Sequence, residues 1–64
     1  MITELFKKEI IKSIELMNNS NLLFMEIENT PGFFVYSPYY VEEKKGDEFL
    51  HLEHEEKKYI VTML

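Results

Sequence analysis

The 64-residue chain predicts a two-layer α+β fold, one N-terminal helix packed on a four-stranded antiparallel meander. Three observations predict it. Apolar residues recur at three- and four-residue spacing through the first seventeen positions, the stripe of an amphipathic helix. After an Asn-rich break the pattern changes to alternation, the period of strands. Five of the nine aromatic residues then crowd into residues 31–41, Pro-Gly-Phe-Phe-Val-Tyr-Ser-Pro-Tyr-Tyr-Val, a composition suited to a pleated, half-buried surface.

The helix is expected over about residues 3–18. Ile2, Phe6, Ile10, Ile14 and Met17 form its apolar side, with Lys7, Lys8, Glu9, Lys12 and Glu15 mainly opposite. Thr3 is placed to cap its start, and Asn18-Asn19-Ser20-Asn21 to end it, because short polar side chains compete with helical hydrogen bonds and asparagine accepts left-handed geometry.

Strands are expected over about 22–28, 33–43, 48–54 and 59–64. In the first, Leu23, Met25 and Ile27 share a face opposite Leu22 and Phe24. Pro31-Gly32 predicts a type II turn, proline presetting φ at the first central position and glycine accepting positive φ at the second. In the second strand Phe33, Val35, Tyr39 and Val41 oppose Phe34, Tyr36 and Tyr40, with a bend or bulge near Ser37-Pro38 because Pro38 has no amide to donate. That bend admits an alternative in which the sheet curls toward a small open barrel. Gly46 is the natural turn residue before the third strand. Glu-Glu-Lys-Lys occurs at 42–45 and again at 55–58, near two expected turns. The core expected from this pattern is Phe6, Ile10, Ile14, Leu23, Met25, Ile27 and Val35.

Composition removes several functions. A chain this short forms one domain and buries only about 60% of the surface its unfolded form exposes, so oligomerisation is the expected support. Cysteine is absent, which excludes disulfides and thiolate metal sites. Twelve acidic residues outnumber seven basic ones, and every basic residue is a lysine. With no arginine and no basic stripe, direct nucleic-acid binding is not expected. No apolar run approaches the roughly 20 residues of a spanning helix, and no secretory leader is recognisable, so a cytoplasmic location is expected. The absence of alanine, glutamine and tryptophan beside abundant Ile, Lys, Asn and Glu suits an A/T-rich coding sequence, as in a phage or mobile element.

Residues 51–56, His-Leu-Glu-His-Glu-Glu, are the one cluster of metal-ligating residue types. In a strand His51, Glu53 and Glu55 share a face while His54 points the other way with Leu50 and Leu52, and no further ligand is evident; no metal site and no cofactor are expected. No nucleophile motif, phosphate loop or acid/base pair is present, so no catalytic residues are assigned and an enzyme is not expected. The remaining candidates are aromatic. One helix covers one face of a four-stranded sheet, yet alternation leaves Leu22, Phe24, Phe34, Tyr36, Tyr40 and Phe49 on the other, with Ile60 and Leu64 able to join them. Solvated sheet faces read polar, and large apolar patches mark interaction sites. Phe24, Phe34, Tyr36, Tyr39, Tyr40 and Phe49 are therefore assigned as a partner-binding surface. The expected function is a small acidic protein-interaction module: an inhibitor, adaptor or decoy for a larger protein, with a homodimer as the favoured self-assembly. The alternative is a small-ligand binder, for example of a nucleotide, with its site at an oligomer interface.

Overall fold

The computed structural model describes residues 3–64. Ile2, the first residue of the expected helical stripe, lies outside the described residues. Helix α1 spans Glu4–Asn19, and four strands follow: β1 Phe24–Glu26, β2 Phe33–Tyr36, β3 Asp47–His54 and β4 Lys57–Met63. Class, helix and strand count match the sequence expectation.

Both helix ends follow from their residues. Thr3 Oγ1 accepts the amide of Phe6 at 3.1 Å, satisfying a free N–H of the first turn. At the other end Asn21 turns left-handed at φ +57. The Leu22 amide reaches back to Met17 O at 2.9 Å and the Asn21 amide to Asn18 O at 3.3 Å. These two bonds make a Schellman motif with asparagine in the place glycine usually takes.

Ile10, Ile14 and Met17 of the helix pack on Ile27, Val35, Tyr59 and Val61, with Phe6, Met25, Phe33, Leu50 and Leu52 at the margin. Ser13 is also fully buried, and its hydroxyl donates to Glu9 O at 2.9 Å, so a small side chain sits between helix and sheet without an orphaned donor. Tyr59 is buried too, and its hydroxyl accepts from Asn18 Nδ2 at 3.1 Å. Leu23 departs from the expected core and is 45% exposed. It lies between the helix-ending motif and β1, where its carbonyl accepts the Ser37 amide at 2.8 Å.

The turn into β2 is as expected. Phe33 N–H donates to Thr30 O at 3.2 Å across Pro31-Gly32, and Gly32 stands at φ +88. The strand order, however, is β1-β2-β4-β3, an open sheet rather than a meander or a barrel. β2 and β3 both run antiparallel to β4 and both begin opposite Met63. They are therefore parallel to each other with β4 between them, and residues 37–46 must carry the chain back along the sheet.

The expected 33–43 strand ends at Tyr36 for a local reason. Tyr40 N–H donates to Ser37 O at 3.1 Å, and Tyr39 N–H to Ser37 Oγ at 3.1 Å. Ser37 and Pro38 thus occupy the first two positions of a β-turn, the places those residue types favour. The crossover that follows lies on the sheet face away from the helix. There the amide of Lys45 donates to Tyr36 Oη at 3.1 Å, and Tyr36 and Thr62 are 1% and 0% exposed.

Candidate interaction surface

β1 is the short edge of the sheet and pairs Phe24 with Tyr36, Met25 with Val35 and Glu26 with Phe34. Because successive side chains alternate, Phe24 and Tyr36 share the face opposite the helix. Their rings stack at 5.7 Å with an interplanar angle of 20°. Tyr40, brought over by the Ser37 turn, meets Phe24 edge-on at 5.4 Å and Tyr36 at 5.0 Å. Tyr36 is the buried floor of this triad; Phe24 is 44% exposed and Tyr40 half-buried.

The neighbours of the triad extend its apolar character. Leu22 and Leu23 precede Phe24 and are exposed, and Tyr39 and Val41 flank Tyr40 at 65% and 92% exposure. Acidic residues follow at once. The Tyr40 hydroxyl lies 3.5 Å from Glu42 Oε2, and Lys44 Nζ stands 5.9 Å above the Tyr40 ring. Partial burial, and then the carboxylate of Glu42 and the neighbouring Tyr36, push the Tyr40 phenol above its ordinary pKa, and the hydrogen bond to Glu42 acts in the same direction.

The six residues assigned from sequence therefore separate. Phe24, Tyr36 and Tyr40 come together. Tyr39 adjoins Tyr40 in the chain and is exposed, with Lys57 Nζ 5.5 Å from its ring centroid. Phe34 is half-buried beside Thr62 in the adjoining row of the same face. Phe49 moves to the helix side, against expectation. The ladder between β3 and β4 slips between Glu48 and Leu50. This bulge aims Phe49 at Phe33 and Phe6, with centroids 5.3 and 6.2 Å away, in a second aromatic triad. Tyr36 is assigned to the right face but is too deeply buried to touch a partner. What covers it is the chain's own crossover, and the Ser-Pro pair was the signal that could have shown it.

The two histidines lie on opposite faces of β3. His51 Nε2 is 3.0 Å from Glu48 Oε1, an exposed pair, and His54 Nε2 is 3.9 Å from Glu15 Oε2 of the helix. Among the described residues no group of three or more His, Asp or Glu side chains converges as a metal site. No described helix is long and apolar enough to cross a membrane. Compared with family models, with curated proteins and with solved structures, the chain matches none.

Proposed function

We propose that this chain is a small acidic protein-interaction module, acting as an inhibitor, adaptor or decoy, whose working surface is the aromatic edge around Phe24 and Tyr40. One observation carries the reading. Large exposed apolar side chains at 22–24 and at 39–41 are joined by the Phe24–Tyr40 contact of 5.4 Å, so two stretches distant in sequence present one surface. Aromatic residues held by packing bring area at low entropic cost and are favoured as interface anchors. Tyr36, fixed between crossover and sheet, provides the rigid seat. Glu42 and Glu43 beside the patch, and a net charge of −5, favour a partner whose own groove is basic around an apolar centre.

The test is affinity capture from lysate of the host cell with the wild type and a Phe24→Ser, Tyr39→Ser variant whose melting is checked first. The expected result is one dominant protein retained by the wild type and lost by the folded variant. Equal capture by both would sink the assignment of this surface. Sedimentation of both proteins at tens of micromolar separates the homodimer, in which self-association is lost with the same substitutions.

A further inference from the structure

Beyond the aromatic edge, we propose that the outer edge of β3, together with the groove between β3 and α1, binds an extended segment in which apolar residues alternate with lysine or arginine. β3 is the opposite edge of the sheet and the longest strand, eight residues from Asp47 to His54. Among the described residues no backbone hydrogen bond reaches it from any element other than β4. Its outer amides and carbonyls form a template for one more strand.

The groove gives that strand a second anchor. The helix lies chiefly over β1 and β2, which leaves the helix side of β3 incompletely covered. A cleft of about 310 Å³ results, lined by Glu4, Lys7 and Ile10 from the helix and by residues 50–52 of β3, whose Leu50 and Leu52 face the helix. Leu50 and Leu52 are half-buried there. An added strand alternates like any other: every second side chain would enter this cleft, and the intervening ones would stand beside Glu48, His51 and Glu53 on the opposite face.

Charge decides the occupant. Glu48 and Glu53 are exposed on the face of β3 away from the helix, and Asp47, Glu55 and Glu56 extend the acidic border to both ends. A second copy would bring the same carboxylates and another net −5 to this edge. Edge charges of one sign disfavour self-pairing, and the same charges select a strand of the opposite sign. On the helix side the cleft is bordered by one cation, Lys7, and one carboxylate, Glu4.

The probe is an acetylated, amidated octapeptide of alternating valine and lysine, read by fluorescence anisotropy and by amide hydrogen exchange. Expected are saturable binding, slowed exchange across residues 47–54, and affinity weakened about fivefold or more by the Glu48→Lys, Glu53→Lys double variant at unchanged melting temperature. The Phe24→Ser, Tyr39→Ser variant should bind the peptide like the wild type, which keeps this edge distinct from the aromatic one. The proposal is overturned by no binding, by equal affinity for a valine–glutamate peptide, by undiminished binding of a peptide N-methylated along one edge, or by protection appearing at β1. Self-association of the free protein that protects β3 would overturn it equally.

Discussion

The hairpin joining β3 to β4 carries a backbone conformation that its residues do not favour, and relieving it should stabilise the protein measurably. His54 pairs with Lys57, so Glu55 and Glu56 alone form the loop. They stand at φ +50 and +67. Positive φ at both positions defines a type I′ turn, which suits the twist of the strands but asks for Asn-Gly. For a residue with a Cβ the left-handed region costs roughly 1–2 kcal/mol. Glycine removes the penalty but adds roughly 0.5–1 kcal/mol of backbone entropy to the cost of folding, and asparagine recovers part of it at less entropic cost. The Glu55→Asn, Glu56→Gly variant is therefore expected to gain about 1 kcal/mol, which for a domain of this size raises the melting temperature by about 4–8 °C. Removing two exposed carboxylates has its own small effect. A Glu55→Gln, Glu56→Gln control isolates it, since glutamine keeps the strained backbone. Thermal and urea unfolding of the three proteins give the answer. If the Asn-Gly variant melts no higher than the Gln-Gln control, the loop is not strained as described.

Three further outcomes are expected. Thr62 is fully buried and its hydroxyl finds no hydrogen-bond partner among the described residues, so Thr62→Val, which keeps the shape, should stabilise by about 1 kcal/mol in denaturant titration. Gly46 has φ +79, and a Cβ there would lie 2.6 Å from Met63 O, a backbone atom with little room to move; Gly46→Ala should cost at least about 2 kcal/mol, and wild-type stability in that variant would contradict the close approach. Tyr40 holds its proton to higher pH in the folded state than in the unfolded chain, so its contribution to stability is complete below the unfolded value of about 10 and is lost as pH rises through the folded value. Ultraviolet titration of the wild type beside Glu42→Gln should show a late tyrosine transition that the substitution brings down.

Local signals in this chain were legible where the structure they specify is local. Thr3 caps α1, the stripe through Ile10 and Ile14 is the core side of the helix, and Pro31-Gly32 turns between β1 and β2. Each depends on neighbours within a few positions. Phe49 illustrates the opposite case. Its side was inferred from strict alternation, and a single bulge reversed it, because a period of two carries any slip to every residue beyond it. Leu23 fails differently: alternation is a property of paired backbone, and Leu23 precedes the three residues that pair in β1.

The face of the sheet away from the helix shows how a missed turn changes a functional reading. With an unbroken strand over 33–43, Tyr36, Tyr40 and Phe34 form one bare apolar face that only a partner or a second copy can cover. With the Ser37 turn, ten residues of the chain itself, 37–46, return across that face to start β3. Their reach is what allows β4 to enter between β2 and β3, since parallel strands require a crossover where antiparallel neighbours need only a hairpin. Tyr36 then changes from an interface residue to the post that holds the crossover, through its ring against Tyr40 and its hydroxyl on the Lys45 amide. A charged residue at Tyr36 should therefore unfold the protein rather than probe its surface, whereas Phe24 and Tyr39 remain open to substitution. The same crossover places β3 at the outer edge with a half-covered groove beside it. Both candidate binding surfaces thus descend from one dipeptide, Ser37-Pro38, which ends β2 after four residues and releases the aromatic segment that follows.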